Sequence, residues 1–173
     1  MEQLSMIFRG DIVPGFELPE GFSFDYFSGA LGQIDEWLVI CREGLIEPGA
    51  GPELFRAAIR DVQGIDPEKD LVFVRAPSGE MAATITFYTV PGTGKGMLHM
   101  VCCREKYRGR GIGNAMVSYA LSQLVGRGTT QVGLTTDDFR LPAIRSYLRM
   151  GFEPVINSEE MQERWDKVFE KLR

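Results

Sequence analysis

The spacing of apolar residues along this chain changes several times, and each change marks an element. Phe22 to Phe27 alternates and is rich in aromatics, which predicts a first strand. Ile34, Leu38 and Cys41 recur at helical spacing, as do Leu54, Phe55, Ala58, Ile59 and Val62. These predict two helices joined by a Gly/Pro-rich loop, Gly44 to Pro52. Strands are expected at Leu71 to Arg75 and Met81 to Val90, around a turn at Pro77-Ser78-Gly79. Pro91 to Gly96 reads as a second turn, leading into a strand from Met97 to Cys103. Ile112 to Val125 predicts a helix with a broad apolar face, and Gln131 to Thr136 a strand. Ala143, Ile144, Tyr147, Leu148 and Gly151 share one helical face, with Gly151 placed to stop that helix. Glu153 to Asn157 is expected as a short strand. Met161, Trp165, Val168, Phe169 and Leu172 then define an amphipathic closing helix over residues 158–173, capped by Asn157 with Glu160. Residues 1–20 are weakly patterned and leave open an added strand or an ordered arm. The order of elements predicts an α/β domain with one mixed sheet.

Composition narrows the class. A chain of 173 residues supports one domain with a sizeable core. Net charge is −5, which argues against a general nucleic-acid or anionic-membrane partner. No apolar run reaches the length of a membrane span, and no signal peptide is visible at the start. The three cysteines, Cys41, Cys102 and Cys103, form neither a disulfide framework nor a C-x-x-C metal spacing, so no metal is expected. A reducing cytoplasm is the expected compartment.

The most informative stretch is Arg108-Gly109-Arg110-Gly111-Ile112-Gly113, between the strand ending at Cys103 and the helix starting at Ile112. Glycines at a strand-to-helix junction leave backbone N–H groups uncovered. A helix start adds unpaired N–H groups and partial positive charge. Together they suit a diphosphate, with Arg108 and Arg110 adding fixed charge. A dinucleotide fingerprint starting at Gly109 fails at its third glycine, where Asn114 stands. A P-loop fails because the one Gly-Lys pair, Gly94-Lys95, is followed by Gly96 and no helix. Arg108, Gly111 and Gly113 fit a third template, R/Q-x-x-G-x-G/A, although a glycine-rich turn with solvated arginines has the same local pattern. Downstream, Ala143-Ile144-Arg145-Ser146-Tyr147-Leu148-Arg149-Met150-Gly151-Phe152 fits A-x-x-x-Y-x-x-x-G-F, preceded by a strand.

These two motifs, in this order and separation, resemble those of the GNAT N-acetyltransferases over about residues 70 to 155. The resemblance implies the GNAT acyl-CoA N-acyltransferase fold: α/β, a single mixed, mostly antiparallel sheet flanked by helices. It implies acetyl-CoA or coenzyme A bound as cosubstrate at Arg108, Gly109, Arg110, Gly111, Ile112, Gly113 and Asn114. It also implies that backbone groups of Val101 and Cys103 hold the pantetheine arm like an extra strand, and that a β-bulge lies ahead of the loop. In many relatives an asparagine stands at the position of Arg140. Here Arg140 is open to a CoA phosphate, to Asp138, or to an acidic acceptor.

Acyl transfer to an amine requires the amine to lose a proton, the carbonyl oxygen to be stabilised and the departing thiolate to be protonated. The resemblance makes Tyr147 the proton donor to sulfur, and a phenol near pKa 10 is protonated at neutral pH. A core tyrosine is the structural alternative. His99 is the one histidine of the chain. Alternation puts His99, Val101 and Cys103 on one strand face. Its imidazole suits a general base, directly or through water, unless it is a histidine satisfied inside the sheet. Glu105 and Asp137 are weaker base candidates. Cys103 as a covalent nucleophile is disfavoured, since no second histidine exists to activate a thiol. The expected activity is acetyl transfer from acetyl-CoA to a primary amine by direct attack. The alternative is a catalytically silent acyl-CoA-binding sensor or interaction module. Expected partners are a small-molecule or protein amine acceptor and a second copy of the chain in a homodimer, with neither nucleic acid nor membrane.

Overall fold

The computed structural model describes residues 2–10 and 12–173. Seven strands form a single sheet in the order β2-β3-β4-β5-β6-β1-β7. They are β1 (Leu4–Phe8), β2 (Ser23–Tyr26), β3 (Leu71–Arg75), β4 (Met81–Val90), β5 (Lys95–Cys103), β6 (Gln131–Thr136) and β7 (Glu153–Pro154). Every pairing is antiparallel except that of β5 with β6. A parallel neighbour needs a long crossover, and α4 (Ile112–Gly126) supplies it. The other helices are α1 (Gln33–Arg42), α2 (Pro52–Phe55), α3 (Pro67–Asp70), α5 (Leu141–Arg149) and α6 (Glu159–Leu172).

Alternation on β3 explains why the sheet is covered on both faces. Val72 and Val74 join a core with α4, α5 and α6, whereas Leu71 and Phe73 join a second core with α1 and α2. All four are fully buried, and truncating Phe73 or Trp165 to Ala costs about 3–5 kcal/mol.

Several expected elements shift. The weakly patterned N-terminus contributes β1, seated between β6 and β7, so the strand near Phe22 is the second of the chain and narrower than its aromatic run. The helix expected over Leu54 to Val62 is shorter and widens into a π-helical turn at Arg56–Arg60. β5 begins two residues early, because Lys95 pairs with Val90 across a tight turn. The strand after Gly151 is two residues long and ends at Pro154, which has no N–H to donate. Ser158, not Asn157, caps α6, accepting from the Met161 N–H.

The most consequential departure lies in β5. Thr86 pairs with His99 and Thr84 with Cys102, so Met100 and Val101 together oppose Ile85. This is a β-bulge. Met100 sits there at φ 51, the one positive-φ residue other than glycine among the described residues. Non-glycine residues rarely occupy this region. The bulge inverts the alternation predicted from sequence. Val101 and Cys103 pack on the α4 side, while His99 turns to the α2 side, where its ring meets the Ala58 carbonyl.

Candidate active site in the split between β5 and β6

β5 and β6 pair only through Lys95–Gln131, Gly96–Val132 and Met97–Gly133. Beyond Met97 the two strands part. That leaves the β6-facing edge of β5 without a strand partner along its second half. Two cavities fill the split. A larger cleft of about 400 Å³ runs from the Gly109–Gly113 loop past Val101 and Cys103 to Tyr147. A smaller one of about 210 Å³ is lined by polar side chains, His99, Asp137 and Gln3 among them, and by apolar ones. Val101, Arg140, Ala143 and Tyr147 line both, so the cavities meet there.

The loop takes its shape from glycines. Gly109 and Gly111 have φ 74 and 82, in the left-handed region that favours glycine. Gly111 precedes α4, and no side chain caps that helix. A Cβ built on Gly109, Gly111 or Gly113 meets no atom within 4 Å. The helix start therefore faces open space with its N–H groups bare, which fits an anionic group. A diphosphate suits this cradle.

Arg108 reaches the cleft but uses its guanidinium inside the protein. Its Nε–H donates to the Cys103 carbonyl at 2.9 Å, and its Nη2 donates to the Glu43 carbonyl. It thereby ties the end of α1 to the end of β5. A second network braces the same corner. Arg104 bonds the Glu43 carboxylate at 2.8 Å and also that of Glu80, which accepts from the Tyr107 hydroxyl at 2.7 Å and pairs with Lys106. The Lys106 ammonium, then the Tyr107 hydroxyl and Arg104, hold the Glu80 carboxyl down at about 2.

Not every residue named from the sequence reaches the cleft. Arg110 lies outside it, over the Tyr107 ring at 5.5 Å. Asn114 also lies outside, accepting from the Ser146 hydroxyl and so joining α4 to α5. Glu105 is exposed, its backbone N–H given to Glu43. Among the residues missed from sequence that line the site are Ser146 and the exposed Phe139 in the larger cleft, and Gln3 in the smaller. An aromatic amid the charges of the Asp137–Arg140 loop was a readable signal for Phe139. Gln3 carried none, since β1 brings it in from the far end of the chain.

Tyr147 is 7% exposed. The Phe152 N–H bonds back to its carbonyl at 3.0 Å, and Gly151, at φ 88, makes the turn that ends α5. This is why glycine and phenylalanine follow Tyr147 at this spacing: they close the helix and return Phe152 to the core, 5.8 Å from the Tyr147 ring. No hydrogen bond to the Tyr147 hydroxyl is present among the described residues. Burial pushes its phenol up to about 12, against the opposing charge of Arg140. The hydroxyl is therefore protonated across the neutral range.

His99 is half-buried, and burial lowers its pKa, opposed by the bond to Ala58. A carbonyl only accepts, so the Nε2–H donates to Ala58 O at 2.9 Å. That fixes the neutral tautomer and leaves Nδ1 as an acceptor. Asp137 is a poorer base. Gln3 donates to its Oδ1 at 3.0 Å and Arg140 to its Oδ2 at 2.8 Å, and Gln3 first, then Arg140, hold its carboxyl below the usual carboxylate range. Asp138, the other acid near Arg140, is taken by Arg164 of α6. The Cys103 thiol is pushed up to about 11 by burial, which leaves little thiolate.

Comparison with known proteins agrees with this architecture. The model of the acetyltransferase (GNAT) family matches residues 32–152. A mycothiol acetyltransferase from Corynebacterium jeikeium is 33% identical over 64 residues, which is 37% of this chain and 19% of that protein. The match thus takes in about a fifth of that relative's length. The crystal structure of a GCN5-related N-acetyltransferase from Sphaerobacter thermophilus superposes with a TM-score of 0.69 at 26% identity, over 88% of this chain and 48% of that one. The NatC complex, solved with a Gag peptide and CoA, shares the fold at 17% identity, with a TM-score of 0.65 over 78% of this chain and 86% of that one. The chain belongs to the GNAT acetyltransferase family.

Proposed function

From this membership we propose that the chain transfers an acetyl group from acetyl-CoA to a primary amine by direct attack, with both substrates bound at once. The carrying observation is the bare glycine-lined helix start, which opens on a cleft leading along the unpaired edge of β5 to Tyr147. Bound acetyl-CoA supplies the thioester. The N–H groups from Gly111 to Gly113 hold its diphosphate, and the free edge of β5 at Val101 and Cys103 holds the pantetheine arm. His99 Nδ1 takes the proton from the amine, directly or through one water. The Tyr147 hydroxyl holds a proton where the departing sulfur needs one. A C–N bond forms, the C–S bond breaks, and the products are the amide and free CoA.

The placement of groups supports direct attack. Cys103 lacks an activating base, and His99 faces away from it across the bulge. The two cavities meet at Tyr147, so holding both substrates there gains rate by positioning.

The test is calorimetric binding of acetyl-CoA, followed by thiol release with a broad amine panel and mass measurement of the product. Binding that ATP does not compete, with a product heavier by one acetyl group, is expected. Tight binding with no turnover on any amine would point instead to a silent acyl-CoA sensor.

A further inference from the structure

Arg140 is the one cationic side chain lining the smaller cavity among the described residues, and it also lines the larger cleft. Its Nε–H is given to Asp137. Its two Nη groups make no hydrogen bond among the described residues, although the side chain is only 24% exposed. An arginine holding one carboxylate through Nε keeps its Nη pair for a second planar anion. The position of that pair matters. Arg140 stands at the junction where Tyr147 lines both cavities, while the glycine cradle lies at the far end of the larger cleft. The influence of its charge on the Tyr147 phenol agrees with this placement.

We infer that the acceptor is an α-amino acid, or another amine with a carboxylate one or two carbons from its nitrogen, and that Arg140 binds this carboxylate. The inference rests on the transferase reading above. Holding the carboxylate at the junction places an amine one carbon away beside the thioester. Asp137, anionic and in the same cavity, favours the arriving ammonium form, and His99 takes its proton before attack. The nitrogen then bonds to the acetyl carbon, the C–S bond breaks and sulfur leaves with the Tyr147 proton, while the second proton, which nitrogen sheds as the amide forms, restores the Tyr147 hydroxyl. The rest of the cavity is small, and Leu45, Leu98, Met100 and Leu134 line it together with Gln3 and two threonines, Thr135 and Thr136. It suits an uncharged side chain of modest size. A protein lysine, which carries no nearby carboxylate, gains nothing from Arg140.

The experiment compares matched acceptors: L-leucine, L-leucinamide and 3-methylbutylamine, with the corresponding methionine, valine and alanine sets. kcat/KM is referred to total acceptor concentration, so that the lower basicity of the amides works against the expected preference and not for it. The acids should exceed their amides at least tenfold. Arg140→Gln should lower kcat/KM for the acids at least tenfold more than for the amides, with acetyl-CoA affinity retained. Arg140→Lys keeps the charge without the fork and should retain part of the preference. Acids and amides used equally well would overturn the inference and leave the transferase reading standing. So would an Arg140→Gln variant that loses acetyl-CoA affinity and slows all acceptors alike, since Arg140 would then be a cofactor contact. Failure to bind acetyl-CoA, or to release thiol with any amine, would sink both.

Discussion

The proposed cofactor end of the cleft is drawn largely from one stretch of chain, residues 101–113, whereas the proposed acceptor end assembles Gln3, Leu45, His99, Asp137 and Arg140 from distant segments. The first works through backbone: bare N–H groups, glycines without Cβ contacts and a free strand edge. The second works through side chains whose orientation depends on a bulge, a tautomer and two carboxylate partners. A site made of backbone is sensitive to added bulk and tolerant of lost charge. A site made of side chains is the reverse. Tyr147 belongs to both, so changes there should be the most costly.

Tyr147→Phe removes one hydroxyl and keeps the ring against Phe152. With no protein partner to orphan, the hydroxyl leaves stability little changed. Turnover should fall by roughly 10- to 10³-fold if protonation of the leaving sulfur limits the rate. Acetyl-CoA affinity, set at the glycine end, should hardly move. Full activity where chemistry is rate-limiting would remove Tyr147 from the reaction.

His99→Ala should cost on the order of 10²-fold in kcat/KM, with partial recovery at high pH where the amine is already free. Burial lowers the His99 pKa, so the acid limb of the wild-type profile should lie below the ordinary imidazole value of about 6.5. Stability follows with a definite sign. Above about pH 6.5 the imidazole is neutral in both folded and unfolded chains, and its contribution is fully present. As pH falls through the lowered folded value, the unfolded chain has already gained its proton and that contribution is lost. Melting measured from pH 8 to 5 should show a decline that His99→Ala reduces. An acid limb at or above the ordinary value, or an identical limb in the variant, would leave His99 as a packing residue.

The contrast between the two ends also explains what was legible in the sequence. Gly109, Gly111 and Gly113 announce their conformation by residue type and sit beside an element boundary. Tyr147, Gly151 and Phe152 were legible for a similar reason, since the turn that ends α5 joins them through the backbone. The face of His99 was misplaced because strict alternation carries no sign of an extra residue. The resemblance implied a bulge ahead of the loop, but only the pairing of Thr84 and Thr86 with β5 places it. Asn114 looked like part of the loop, yet a helical turn points it at Ser146 of α5 instead. β1 was invisible as a wall of the site. Its pattern is weak, and its partners Gln131–Thr136 come more than a hundred residues later.

At the cofactor end the sharpest probe is Gly113. It lies inside α4 with no positive φ, and an added Cβ meets no atom within 4 Å. Gly113→Val should therefore fold, since valine is a slightly better helix former than glycine. It should weaken acetyl-CoA binding at least tenfold, or about 1.4 kcal/mol. Gly111→Val is a poorer test, because φ 82 strains any branched side chain and mixes misfolding with occlusion. Unchanged affinity in folded Gly113→Val would move the diphosphate elsewhere.

The smallest expected effect separates two arginines that the motif treats as equals. Arg110 is exposed, does not line the cleft, and gives its guanidinium to the Tyr107 ring and, at 3.3 Å, the Lys106 carbonyl. An exposed charge is weakened by screening at physiological salt. Arg110→Ala should therefore change acetyl-CoA affinity less than about threefold, under about 0.7 kcal/mol. Arg108→Ala should do more, though not by losing charge. It frees the Cys103 and Glu43 carbonyls and loosens the joint between β5 and α1, where the pantetheine arm is expected to lie. Salt makes the distinction measurable. If Arg108 acts as a brace, the loss in Arg108→Ala should persist at high salt, whereas a loss of phosphate attraction should shrink as salt rises and wild-type affinity falls toward the variant's. A salt-sensitive deficit of equal size in both variants would show that the motif's charges, and not its backbone, hold the diphosphate, and the contrast between the two ends of the cleft would fail.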